Sequence, residues 1–162
     1  MTRKPRVLSL YKDVRRTIEW CVEQGLELSI CSKSSNYDGA EMILSCLGLW
    51  DLFKYPQIYG ARKTFHFRNL RGCTNMSYSD FLFFDDDSKN IDVCSGIGVS
   101  CSLVDKAVGF NGQTLLNALR KYSRQDKKCP SPWTVVPMKS ARTDNDAEES
   151  ELQFSFQWTT SV

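Results

Sequence analysis

The sequence predicts an α/β protein with parallel strand pairing and right-handed crossovers, and three observations predict it. From Val7 to Tyr122, short apolar runs alternate with segments whose apolar residues recur at helical spacing. Those helical segments carry their own punctuation, with Asp13 and Asn36 as candidate caps and Gly25 and Gly48 as stops. Finally, Phe81-Leu82-Phe83-Phe84 is an unbroken apolar run that halts at Asp85-Asp86-Asp87, the pattern of a strand buried on both faces of a parallel sheet.

Taken in order, residues 1–6 form a basic extension too polar for the core, and Val7 to Tyr11 is a short strand or extended lead-in. Val14, Ile18, Cys21 and Val22 then share one helical face. Leu26 to Cys31 reads as a strand running into Ser32-Lys33-Ser34-Ser35, and Ala40, Ile43, Leu44 and Leu47 stripe a second helix. Gln57-Ile58-Tyr59 is a short strand at best, between Pro56 and Gly60. Lys63 to Arg71 is helical, with Phe67 and Leu70 to bury, and the strand ending at Asp85 follows. Lys89 to Ser95 closes at Gly96 and Gly98, Val99 to Val104 is another strand, and Leu115, Leu116, Leu119 and Tyr122 mark a last helix. The domain division is therefore 1–6, a core over 7–122, and a tail over 123–162. Pro130, Pro132, Pro137 and the acidic run from Asp144 to Glu151 predict a disordered tail. Within it, Leu152, Phe154, Phe156 and Trp158 alternate with polar residues like a half-buried strand.

Bulk properties exclude several classes. A hydrophobic fraction of 41% and a charged fraction of 25% are ordinary for a globular chain, and a net charge of +2 without a basic stripe argues against nucleic-acid binding. No apolar stretch is long enough to span a bilayer. Seven cysteines without a Cys-x-x-Cys pair, and a single histidine, His66, argue against structural zinc. With no signal peptide in view, the expected compartment is the reducing cytosol or the nucleus.

Three strand or helix ends carry candidate chemistry. Ser32 follows one strand, Lys63 opens a helix, and Asp85 and Asp86 close another strand. In a parallel sheet these ends meet on the carboxyl rim, where ligands bind. There a hydroxyl, an ammonium and two carboxylates could surround one phosphoryl group, the carboxylates holding Mg²⁺. Adjacent carboxylates must share a proton or a cation. The competing reading makes Asp87 or Ser88 a helix cap, with the other acids favouring the helix dipole, and the residues alone leave both open. Asp144-Asn145-Asp146 has no apolar strand before it and reads as solvated tail.

On Leu10-Tyr11-Lys12-Asp13-Val14, Cys31-Ser32-Lys33-Ser34, Tyr59 to Phe67 and Phe83 to Ile91, the chain resembles the haloacid-dehalogenase-like (HAD) phosphatases. Within them it is similar to the magnesium-dependent phosphatase-1 family, over about Val7 to Leu119. The resemblance implies a three-layer, Rossmann-like parallel sheet and Mg²⁺-dependent hydrolysis of phosphomonoesters, phosphotyrosine or phosphosugars included, through an aspartyl-phosphate. It implies that Ser32 and Lys33 bind the phosphoryl group, Lys63 stabilises it, Asp85 or Asp86 ligates Mg²⁺, and Asn90 supports the metal. The expected partner is a phosphorylated small molecule or phosphoprotein, with the tail as an arm for a protein partner.

The resembled family begins with a buried strand ending in Asp-x-Asp-x-Thr/Val, whose first Asp is the nucleophile and whose second is the general acid. Nothing before Leu10 provides it. The reading is therefore of an N-terminally truncated core that lacks its attacking carboxylate. The alternative is an inactive relative that keeps the phosphate and Mg²⁺ contacts or binds a protein partner. The absent strand lies at the middle of the sheet, so the strands ending at Cys31 and Phe84 need a substitute between them. Val7 to Tyr11 and Leu152 to Trp158 are the two candidates.

Overall fold

The computed structural model describes residues 9–124 in full and two further segments, 133–138 and 152–158, as backbone strands. The elements run α1 (Val14–Glu23), β1 (Leu26–Ser32), α2 (Tyr37–Cys46), β2 (Gln57–Ile58), α3 (Lys63–Thr74), β3 (Phe81–Asp85), α4 (Ser88–Gly96), β4 (Ser100–Leu103), α5 (Gly112–Ser123), β5 (Trp133–Met138) and β6 (Leu152–Trp158). Single 3₁₀ turns at Trp50–Leu52 and Tyr78–Asp80 lead towards β2 and β3.

The helices begin and end for local reasons. Asn36 accepts the Gly39 N–H at 2.9 Å and caps α2, and Asp87 accepts the Lys89 N–H at 2.9 Å and caps α4. Asp13 precedes α1 as expected but makes no side-chain cap; its carbonyl instead accepts the Thr17 hydroxyl at 2.8 Å. Gly25 (φ 78°) and Gly48 (φ 64°) follow α1 and α2 in the left-handed region, where a side chain would be strained.

The pairings within β1 to β4 are parallel: β2 with β1, and β4 with β3. The sheet order is β2-β1-β5-β6-β3-β4, with β5 and β6 both lying between β1 and β3. β5 runs parallel to β1 and β3, which therefore share one direction, and β6 runs antiparallel to both. Thr134 of β5 and Phe156 of β6 each stand opposite Leu28 and Leu82 in these registers. Of the two candidates for the middle of the sheet, 152–158 takes the position. Ser9 to Tyr11 belongs to no strand, and Val7 lies outside the described residues. The strand at 133–138 falls where the sequence predicted irregular chain. Trp133-Thr134-Val135-Val136 is rich in β-formers, and its edges are needed by β1 and β3 more than Pro132 before it and Pro137 within it oppose them.

Strand residues alternate between two apolar layers. Leu26, Leu28, Ile30, Leu82 and Phe84 pack with Val14, Ile18 and Cys21 of α1, Ala40 and Leu44 of α2, and Leu115 and Ala118 of α5. Cys31, Phe81 and Phe83 pack on the opposite face with Phe67 and Leu70 of α3 and Cys94 of α4. Phe67 sits edge-on to both Phe81 and Phe83, with centroids 5.5 and 5.1 Å apart. The result is the expected three-layer α/β arrangement, with the carboxyl ends of β1, β2 and β3 on one rim. Among the described residues no helix is long and apolar enough to cross a membrane.

Candidate active site

Ser32 is the last residue of β1 and Asp85 the last of β3, so parallel pairing alone sets both on the carboxyl rim. Lys63 opens α3 just beyond β2, and its side chain is buried, 1% exposed. A buried ammonium needs acceptors and counter-charge. Its Nζ donates to the carbonyl of Cys31, the residue before Ser32. It also lies near enough to Asp85 to favour that carboxylate's charged form. The ammonium and the Asp85 carboxylate are thus brought together, and Ser32 follows the carbonyl that the ammonium holds.

Asp85 is wholly buried and Asp86 nearly so, at 6% exposed. Burial pushes the Asp85 carboxyl up to about 7, against the pull of Lys63, the Asp87 N–H and the Asn90 amide, with Asp86 adding to the rise. Asp85 Oδ1 accepts the Asp87 N–H at 2.8 Å, and Oδ2 accepts Asn90 Nδ2 at 2.9 Å. Asp87 takes the capping role, which leaves Asp85 and Asp86 for the rim. The capping reading of the acidic run therefore holds for Asp87.

Two adjacent, buried carboxylates suit Mg²⁺, which takes one or two protein carboxylates and completes its octahedron with water and phosphate oxygens. A cation there would also offset the desolvation that raises Asp85. Among the described residues no group of three or more His, Cys, Asp or Glu side chains gathers, so a dedicated protein cage of the zinc type is not offered.

Lys33 also holds the amide beside Asp85. Its Nζ donates to Asn90 Oδ1 at 2.7 Å, so its charge acts on the rim through the amide that supports Asp85. Ser32 Oγ accepts the Ser34 N–H at 3.1 Å, which fixes the hydroxyl oxygen at the strand end. Burial pushes the thiols of Cys21, Cys94 and Cys101 up, which removes them as thiolate nucleophiles near neutral pH.

His66 lies within the Tyr59 to Phe67 motif but carries no role in the pattern of the sequence. It is fully buried one turn after Lys63, with Nε2 3.1 Å from the Tyr59 carbonyl oxygen and its ring edge-on to Tyr59, centroids 4.4 Å apart. Burial, with Lys63 nearby, pushes it down to about 4 and keeps it neutral. The available signal was a lone histidine three positions after the candidate lysine.

A family model described as acid phosphatase matches residues 1–125. Magnesium-dependent phosphatase 1 of Homo sapiens is 30% identical over 122 residues, which cover 75% of this chain and 68% of that protein. The chain belongs to the magnesium-dependent phosphatase-1-like family of HAD-type phosphatases. Membership supports Mg²⁺ as the ion of this family.

Proposed function

We propose that this chain binds the phosphoryl group of phosphomonoesters together with Mg²⁺, as the binding half of a HAD-type phosphatase site. The observation that supports it is the convergence of a buried lysine, a strand-end serine and two buried carboxylates on one rim. Ser32 would donate its hydroxyl hydrogen to a phosphoryl oxygen. Lys63 would offset the charge on that group. Asp85 and Asp86 would hold Mg²⁺, which supplies electrostatic stabilisation of the phosphoryl oxygens when bound. Asn90 would keep Asp85 oriented, and Lys33 would act behind Asn90. Family activity adds hydrolysis of phosphomonoesters, with phosphotyrosine or phosphosugars as the substrate class.

A second reading is a phosphoryl-binding protein without turnover; hydrolysis through an aspartyl-phosphate needs a carboxylate that attacks phosphorus. Calorimetric titration of the 162-residue chain with inorganic phosphate in the presence and absence of Mg²⁺ tests the binding reading. Mg²⁺-dependent phosphate affinity that disappears in Lys63→Met is expected; binding that ignores Lys63 would refute it. Turnover of an aryl phosphate, measured in parallel, separates the enzyme from the binding protein.

A further inference from the structure

Tyr59 joins the two halves of the rim. Its N–H donates to the Ser32 carbonyl at 3.1 Å, and its carbonyl accepts the Ala61 N–H at 2.8 Å. Its phenol donates to Gln57 Oε1 at 3.0 Å and accepts from Asn69 Nδ2 at 2.7 Å. The turn that follows, Gly60-Ala61-Arg62, delivers the backbone to Lys63. Arg62, the residue before α3, makes no side-chain cap.

His66 holds the turn from inside the helix. The Tyr59 carbonyl can only accept, so Nε2 carries the ring proton and donates it, while Nδ1 is an acceptor. Nδ1 is buried and has no hydrogen-bond partner among the described residues, so the Nε2 contact is the polar bond that orients the ring. A donor is needed beside the buried Lys63 ammonium, and a lysine or arginine there would add a second buried cation. Histidine supplies the N–H without the charge.

We propose that His66 is a positioning residue for Lys63: by donating Nε2–H to the Tyr59 carbonyl, it locks the 59–62 turn against β1 and so fixes where the ammonium stands. The proposal rests on Lys63 being the phosphoryl ligand only for its functional consequence; the geometric claim stands apart from it.

The test uses the full 162-residue chain with His66→Gln, His66→Asn and His66→Leu. A glutamine amide nitrogen reaches the place of Nε2, whereas an asparagine amide nitrogen reaches only that of Nδ1. Backbone amide exchange at Ala61 and reductive methylation of Lys63, followed by mass spectrometry, report the turn and the ammonium without any ligand. Phosphate affinity with Mg²⁺ reports the site. Expected are faster Ala61 exchange, more Lys63 methylation and about tenfold weaker phosphate binding in His66→Asn and His66→Leu, the loss of about one hydrogen bond. His66→Gln should restore all three. If His66→Leu does not fold, the glutamine and asparagine pair still decides. Equal behaviour of these two, or wild-type exchange and labelling in both, overturns the proposal. A wild-type chain that binds no phosphate refutes the phosphoryl-binding reading, while exchange and labelling continue to decide the role of His66.

Discussion

Lys33 reaches Asp85 through a single amide. Asn90 accepts the Lys33 ammonium on Oδ1 at 2.7 Å and donates Nδ2–H to Asp85 Oδ2 at 2.9 Å. An ammonium has no acceptor, so Lys33 dictates which way the amide faces, and the amide dictates where Asp85 presents its lone pairs. Removing Asn90 should release a carboxylate that burial already disfavours as an ion. Asn90→Ala is expected to weaken Mg²⁺ binding by about tenfold, in line with outer-shell partners of metal ligands. Lys33→Met should weaken it less, since the amide remains and only its orientation is freed. Isothermal titration with Mg²⁺ checks both, and wild-type affinity in Asn90→Ala would contradict the support role.

Asp85 and His66 should impose opposite pH dependences on stability. Asp85 keeps its proton to about 7 in the fold against an ordinary value of 3.8, so the folded state holds a proton that the unfolded chain has released between those limits. Stability from this group is present below about 4 and is lost as pH rises through 7. His66 stays neutral down to about 4 against an ordinary 6.5, so the unfolded chain takes up the extra proton, and stability is lost as pH falls from 6.5 through 4. Between about pH 4 and 6.5 the two slopes oppose each other, each amounting to a few kcal/mol across its own window. Urea unfolding in chelator should therefore show stability rising with pH over that range in Asp85→Asn, and falling in His66→Gln. Unchanged slopes in both variants would mean that other groups govern the titration.

Much of this was legible locally. Asn36 and Asp87 announced α2 and α4 because a capping side chain and its N–H lie within three residues, and the Phe81–Phe84 run announced β3 because full burial leaves no alternation. Ser32, Lys63 and Asp85 were legible as a set because parallel strands send their carboxyl ends to one rim. Long-range relations were not. The bond between Lys33 and Asn90 crosses 57 residues, and nothing around Lys33 hints at Asn90. The strand at 133–138 answers a demand made by β1 and β3, while its own neighbourhood shows mainly prolines. His66 acts on a carbonyl seven residues back, across a turn whose course no periodicity describes.

Gly109 and Gly112 flank buried Phe110 and should respond oppositely to alanine. Gly109 has φ +76°, and a Cβ there would meet the Tyr11 ring at 2.4 Å. Tyr11 is held in place by its hydroxyl, which donates to the Lys106 carbonyl at 2.8 Å. Gly112 opens α5, where a Cβ would meet nothing within 4 Å. Gly109→Ala should lose roughly 2 kcal/mol to backbone strain and overlap. Gly112→Ala should gain up to about 1 kcal/mol from helix propensity. Urea midpoints decide, and a neutral Gly109→Ala would mean that Tyr11 yields without penalty.

The middle of the sheet gives the last prediction. β1 faces β6 over Leu26 to Ile30 and β5 at Leu28 and Ser29, while β3 faces β5 over Phe81 to Phe83. Without these segments, two buried strands would present unpaired N–H and C=O groups to each other's side of the core, each a site for water entry or for pairing with another chain. Shortening the chain to residues 1–124 should therefore lower its unfolding midpoint and promote self-association, although α1 to α5 and β1 to β4 are retained. Amide exchange in the full chain should show protection across 152–158 and across Leu28 to Ile30 together, because the same bonds protect both. Sedimentation and hydrogen exchange measure these outcomes. A stable, monomeric 1–124, or unprotected amides throughout 152–158, would mean that β1 and β3 close the sheet by other means.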